Sequence, residues 1–192
     1  MNRHEIINHI IKKEKYTRYL EIGVQKGHSF KKVLCNNKDG VDPNPKKIKV
    51  KYQITSDDFF RTIPDSQQYD IIFIDGLHEK NQVLRDVDNS LKHLLEGGTI
   101  VMHDCSPSSF YMSSLKRCGT VWQAVVELRQ RENLDVQVVD TDFGVGIVKL
   151  GEQKVLVLEK DTKITYDFLE SNRKEILNLV SVEEFRNVYV DR

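Results

Sequence analysis

Five apolar runs of strand length, RYLEIG, DGVD, KYQIT, YDIIFID and GTIVMHD, succeed one another between residues 18 and 104, separated by turn residues and by segments of helical spacing. Such alternation calls for a parallel sheet, because parallel neighbours need a crossover and the crossover helices must cover the faces of the sheet. Helices are expected over about residues 29–35, 45–49, 57–63 and 81–95. In the last of these Val83, Val87, Leu91, Leu94 and Leu95 share one face, and Gly97 and Gly98 of the EGG run are candidates to end it. An amphipathic helix carrying Ile6, Ile7, Ile10 and Ile11 opens the chain.

Beyond Cys105 the polar segment SPSSFYMSSLKRCG is long for a connection and reads as a lid or binding loop. TVWQAVVELRQR then reads as a helix with Val121, Trp122, Val125, Val126 and Leu128 inward, and LDVQVVDTDFGVGIVKL as a hairpin around DTDFG. The fold class is α/β, with a mostly parallel seven-stranded sheet and one antiparallel strand near the C-terminal end. The helical patches YDFLESNRKEILNLV and SVEEF, with Ser181 and Glu184 spaced as a capping box, are expected to form a covering appendage over about 151–192. One domain spanning 1–192, with its core over about 17–150, is the expectation for this length.

Lysine plus arginine and aspartate plus glutamate both number 29, so no net field draws the chain to nucleic acid or to an anionic membrane. A small-molecule partner fits better. The three cysteines, Cys35, Cys105 and Cys118, lack CxxC spacing and argue against a disulfide framework, so a reducing, cytoplasmic setting is expected. No run approaches the ~18 apolar residues of a membrane span, and the start lacks a signal-peptide core. Self-association into a homo-oligomer is compatible with the sequence and is not specified by it.

The first strand-turn-helix unit, LEIGVQKGHSF, brackets its turn with Glu21, Gly23 and Gly27. In open α/β sheets ligands sit beyond the carboxyl ends of the strands, where glycine lets the backbone approach them. The spacing is G-x-x-x-G rather than the dinucleotide G-x-G-x-x-G. The acid ahead of it suits an amine or sulfonium better than a pyrophosphate. Asp42 ends the next run, 21 residues after Glu21, at an offset placed to take the hydroxyls of a ribose. Alone, DPNP could be only an Asx-Pro turn. In TSDDFF, Ser56 suits a helix N-cap and Asp57 and Asp58 suit a first helical turn; a contact from Asp57 to an adenine is the less favoured reading.

Asp75 and Asp104 close the fourth and fifth runs. If those strands are neighbours, two hard oxygen donors meet at the edge that carries the nucleoside site, the usual protein share of a Mg²⁺ site. His78, three residues past Asp75, has an ordinary pKa of about 6.5 that suits a general base. A surface role at the start of a helix would account for it equally well if it stood alone. His103, beside Asp104, could touch substrate or simply pack.

In this order and spacing, EIGVQKG, GVDPNP, TSDDFF, FIDGLHEKNQVLRDV and GGTIVMHD resemble the class I S-adenosylmethionine-dependent methyltransferases, and within them the macrocin-type sugar O-methyltransferases. The resemblance runs over about residues 19–105 and implies a three-layer Rossmann-like sandwich. It implies that Glu21, Gly23 and Gly27, assisted by Ser29, hold the methionine end of S-adenosyl-L-methionine, that Asp42 holds the ribose and that Asp57 lies by the adenine. It further implies that Asp75 and Asp104 bind Mg²⁺ or another divalent metal, that His78 is the base, and that the acceptor is a small-molecule or glycan hydroxyl. The chain departs from the pattern at Cys105, where related metal-dependent enzymes carry a further oxygen donor and a thiol is too soft for Mg²⁺.

Three rival readings fit the sequence less well. An amine- or nucleic-acid-directed methyltransferase lacks its proline-aromatic motif, since DGLH stands after the fourth run. A non-catalytic cofactor-binding module would have no need of both Asp75 and His78. A nicotinamide dehydrogenase is disfavoured by the spacing of the glycines.

Overall fold

The structure is a computed structural model and describes residues 1–189; the last three residues of the expected C-terminal appendage, 190–192, lie outside the described residues. Seven strands form one sheet: β1 (Arg18–Ile22), β2 (Asn37–Val41), β3 (Tyr69–Ile74), β4 (Leu94–Met102), β5 (Leu134–Val139), β6 (Val145–Leu150) and β7 (Leu179–Val180). Their spatial order is β2-β1-β3-β4-β6-β5-β7. All neighbours run parallel except β6, which is antiparallel to both β4 and β5.

Alternate strand residues enter two separate cores, as the two-residue period of a strand requires. On one face Tyr19, Ile71, Phe73, Val101 and Ile147 pack under α1 (Arg3–Glu14) and α6 (Val182–Tyr189), against Ile6, Ile7, Ile10, Ile11 and Phe185. On the other, Leu20, Ile22, Ile72, Ile74, Ile100 and Met102 meet α2 (Ser56–Thr62), α3 (Lys80–Lys92), α4 (Val121–Leu128) and α5 (Tyr166–Ile176) through Phe59, Val83, Val87, Trp122, Val125 and Leu169. Helix, sheet and helix make the three expected layers.

The structure corrects several local expectations. KYQIT is not a strand of the sheet; Tyr52 makes only an isolated parallel bridge with Val41. The seventh strand is instead the two-residue β7, from a segment expected to be helical. With α5 and α6 on opposite faces, residues 166–189 are built into the layers rather than laid over them. Residues 29–35 and 45–49 form turns and bends rather than helices. α2 is capped by Thr55, whose hydroxyl accepts from the Asp58 amide 3.1 Å away, so Ser56 is its first residue and not its cap. Gly97 and Gly98 do not end α3. They lie in β4, where the register with β3 slips between Tyr69 and Ile71; a Cβ on Gly98 would crowd the Asp70 and Leu95 carbonyls. The capping box at Ser181 and Glu184 is present, with each backbone amide donating to the other's side chain at 2.6 and 3.1 Å.

The chain runs from β1 outward to β2, then returns past β1 to β3 and β4. The strand order therefore reverses beside β1 and β3, and a crevice opens outside the carboxyl ends of those strands. Gly23, Asp42, Asp75 and Asp104 all follow strand ends on that edge.

Candidate functional site

The crevice is a cleft of about 490 Å³, within the range of small-molecule sites. Gly23, Asp42, Ser56, Asp57, Asp75, Gly76, Leu77 and Gln82 contribute to its wall. Gly23 has φ +89°, and a Cβ there would overlap the backbone oxygen of Asp75. The glycine thus lets the β1 turn and the end of β3 lie against each other beneath the cleft. Asp42 spends both carboxylate oxygens on the backbone. Oδ1 accepts from the Asn44 amide at 2.7 Å, the Asx turn that DPNP suggested, and Oδ2 accepts from the Gln25 amide at 2.6 Å. Each oxygen keeps lone pairs for a ligand hydroxyl, and the two bonds fix the carboxylate on the cleft wall. Asp57 Oδ1 accepts from Gln82 Nε2 at 3.1 Å.

Glu21 is not on that wall. It is 2 % exposed and accepts a short hydrogen bond from the Tyr19 hydroxyl, on the sheet face that α1 covers. Burial pushes its carboxyl up to about 8, against the Tyr19 hydrogen bond and with the Asp75 charge adding to the rise. Ser29, also buried, accepts from Arg3 Nε at 3.2 Å. Gly27 has φ +72° and packs against Ile48.

At the adjoining end of the crevice the strand order makes β3 and β4 neighbours, and Asp75, His78 and Asp104 converge. Each offers a ligating atom, and these atoms lie within 4.8 Å of one another. His78 Nε2 is 3.4 Å from Asp75 Oδ1, and Nδ1 is 3.2 Å from Asp104 Oδ2. Nδ1 also donates to the Arg117 carbonyl in a short contact, so the far loop orients the ring. Gly119 lies close enough that a Cβ there would overlap the His78 carbonyl, which accepts from the Thr120 amide at 3.0 Å. Asp104 has φ +61°, a region aspartate tolerates better than most residues, and this turns its carboxylate toward His78.

His103 belongs to the same cluster. Its Nδ1 lies 3.4 Å from Asp75 and 3.3 Å from Asp104, and its Nε2 donates to the Asp142 carbonyl at 2.8 Å. Burial lowers the pKa of this ring, but the Asp104, Asp142 and Asp75 carboxylates outweigh it and carry the value to about 11. For Asp75, burial works upward, while hydrogen bonds from His103 and His78 and the Arg3 charge hold the carboxyl well below the usual range. Burial likewise lowers His78, and Asp75, the Arg117 carbonyl and Asp104 more than reverse it. Cys105 takes no part. It is fully buried, with its thiol directed at the Met102 and His103 carbonyls, and burial pushes the thiol far up.

Three members of the site escaped the sequence. Asp142 sits at φ +48° in the hairpin turn, and Gln82 stands buried on α3 one turn before buried Asp86. Arg3 had left a readable sign: a cation in the first turn of a helix opposes the helix dipole and needs a nearby anion. That anion is Asp142, whose carboxylate accepts from Arg3 Nη1 at 2.9 and 3.1 Å.

Residues 20–105 match the family model described as a methyltransferase domain. Among solved structures the chain is similar to the SAH-bound methyltransferase PaMTH1 of Podospora anserina, at 14 % identity and TM-score 0.59, with 78 % of each chain covered. It is similar to an O-methyltransferase from Bacillus cereus in complex with SAH, at 14 % identity and TM-score 0.61, over 77 % of this chain and 80 % of that one. A third is the O-methyltransferase TomG from Streptomyces achromogenes in complex with SAM, at 13 % identity and TM-score 0.56, over 77 % and 78 %. No curated protein matches in sequence. The chain shares the Rossmann-like α/β fold of these methyltransferases, and Glu21, Gly23, Asp42, Asp75 and Asp104 lie within the residues that match the family model. Among the described residues no helix is long and apolar enough to cross a membrane.

Proposed function

We propose that this chain is an S-adenosyl-L-methionine-dependent O-methyltransferase acting on a hydroxyl of a sugar or similar small molecule, assisted by a divalent cation and using His78 as the base. The observation that carries the reading is the meeting of Asp75, His78 and Asp104 at the mouth of a cleft lined by Gly23, Asp42 and Asp57.

The cleft suits the cofactor in its residues. Gly23 lets the β1 turn lie against the Asp75 backbone beneath the cleft, Asp42 is braced to face ribose hydroxyls, and Asp57 and Gln82 stand on the wall where an adenine would lie. Glu21, Gly27 and Ser29 do not line the cleft; in this reading they flank the methionine end beyond Gly23. S-adenosylmethionine brings an electrophilic methyl group on a sulfonium, and the protein's task is to hold an acceptor oxygen in line with it.

The acidic end suits a cation as well. Asp75 and Asp104 supply hard carboxylate oxygens of the kind Mg²⁺ prefers, and their ligating atoms lie within 4.8 Å of each other. A divalent cation between Asp75 and Asp104 would lower the pKa of an acceptor hydroxyl and offset the two carboxylates that favour the imidazolium form of His78. With its Nδ1–H given to the Arg117 carbonyl, a neutral His78 presents the Nε2 lone pair to the acceptor proton. Leu77 at the cleft wall, and exposed Phe110, Tyr111 and Leu115 on the loop over residues 106–119, offer apolar surface to the body of the acceptor.

The test is methyl transfer to a panel of sugar and catechol-type hydroxyls. His78→Ala is expected to lower kcat by roughly 10²–10⁴, the usual worth of a general base, with the affinity for the cofactor unchanged. Equal turnover by His78→Ala and Asp75→Ala variants and the unaltered enzyme would remove both residues from the active site.

A further inference from the structure

We infer that Arg3, together with the Ser29 hydroxyl, is the receptor for the α-carboxylate at the amino-acid end of the cofactor; this rests on the cofactor reading above and extends it to a residue of the opening helix. Arg3 is the first residue of α1, and its side chain crosses to the carboxyl edge of the sheet. There it touches four separate parts of the chain. Nε donates to Ser29 Oγ at 3.2 Å and lies 3.6 Å from Asp75 Oδ2, while Nη1 donates to the Asp142 carboxylate and lies 2.9 Å from His103 Nε2. Nη2 makes no hydrogen bond among the described residues, and the side chain is 25 % exposed. The guanidinium is therefore held through Nε and Nη1, and among the described residues the N–H donors of Nη2, one of them parallel to Nε–H and so on the Ser29 side, are unspent.

Ser29 completes the arrangement. It follows the glycine-bracketed turn, it is buried, and among the described residues its Oγ accepts from Arg3 and makes no other hydrogen bond, which leaves its own proton to donate to a ligand. The Nη2–H parallel to Nε–H, beside the Ser29 hydroxyl donor, makes a two-point receptor for a carboxylate. Asp75, on the cleft wall, stands beside them with Oδ2 3.6 Å from Arg3 Nε. A positive and a negative group thus stand as a zwitterion would need them, with the ammonium toward Asp75 and the carboxylate toward Arg3 and Ser29.

The experiment is a calorimetric titration, with EDTA present and without acceptor, of S-adenosylhomocysteine and of its decarboxylated analogue, which differs only at the carboxylate. The unaltered protein is expected to prefer S-adenosylhomocysteine by roughly 10- to 100-fold, as for a charge-assisted hydrogen-bonded pair. Arg3→Gln is expected to erase most of that preference while leaving the analogue's affinity within about twofold, and Arg3→Lys, which keeps the charge and a folded site, to restore part of it. Equal weakening of both ligands by Arg3→Gln, or an intact preference in either variant, would overturn the inference. So would equal binding of the two ligands by the unaltered protein, whereas binding of neither would bring down the cofactor reading itself.

Discussion

Gly23 and Asp75 lie in backbone contact across β1 and β3: the glycine sits at φ +89°, and no Cβ fits between it and the Asp75 oxygen. The turn that would admit the cofactor and the strand end that carries the acid are thereby one unit. Gly23→Ala combines a left-handed backbone, costing about 1–2 kcal/mol, with an overlap against main chain that cannot swing aside. The variant is expected to lose about 3 kcal/mol or more in chemical denaturation and to lose S-adenosylhomocysteine binding along with it. A variant of ordinary stability that binds normally would show that the two strands can part without consequence.

Cys105 replaces the oxygen donor that the resemblance leads one to expect, and the structure shows why a thiol is tolerated there. The side chain lies wholly in the core, beside Gly146, and faces carbonyls of its own strand end. Cys105→Ala is expected to leave turnover within about twofold and to cost about 1 kcal/mol of stability. Cys105→Asp is expected to destabilise by several kcal/mol without raising cation affinity, because a carboxylate there would be buried and unpaired. Tighter Mn²⁺ binding by Cys105→Asp would place the residue in the site after all.

Much of this geometry was legible because it is carried by residues at strand ends. YDIIFID and GTIVMHD had to become adjacent parallel strands, and adjacency alone brings Asp75 to Asp104. The helix–strand alternation likewise implied three layers. What stayed hidden depends on contacts between distant segments. Nothing local distinguishes Asp142 in its turn from any other hairpin aspartate until Arg3, 139 residues earlier, is placed against it. KYQIT has the composition of a strand, yet its neighbour β2 is the edge of the sheet and Tyr52 pairs with it only once. β7 shows the converse: two residues of a helical-looking stretch pair with β5 because the end of α5 delivers them there.

If Asp75 and Asp104 hold a cation between them, its removal and the loss of either carboxylate should act alike. Mn²⁺ titrated into the metal-free protein is expected to bind at one site. Asp75→Asn and Asp104→Asn are each expected to weaken it at least about tenfold, and chelation is expected to abolish turnover reversibly. Binding unaffected by both substitutions would move the cation elsewhere.

Glu21 makes a prediction about stability and pH. Its folded pKa is raised from 4.5 to about 8, with burial the principal cause, so between those values the folded chain holds a proton that the unfolded chain has released. Stability falls with rising pH wherever the folded state binds more protons. The contribution of Glu21 is therefore neutral below about pH 4.5, becomes unfavourable as pH rises, and levels off above about pH 8. Its full size is on the order of a few kcal/mol. Glu21→Gln keeps an acceptor for the Tyr19 hydroxyl and removes the titration. Denaturant midpoints measured from pH 5 to pH 8 are expected to fall less steeply for Glu21→Gln than for the unaltered protein, with the variant the more stable at pH 8. Parallel profiles for the two proteins would mean that Glu21 is ionised in the folded chain and that its charge is met by a partner inside the site.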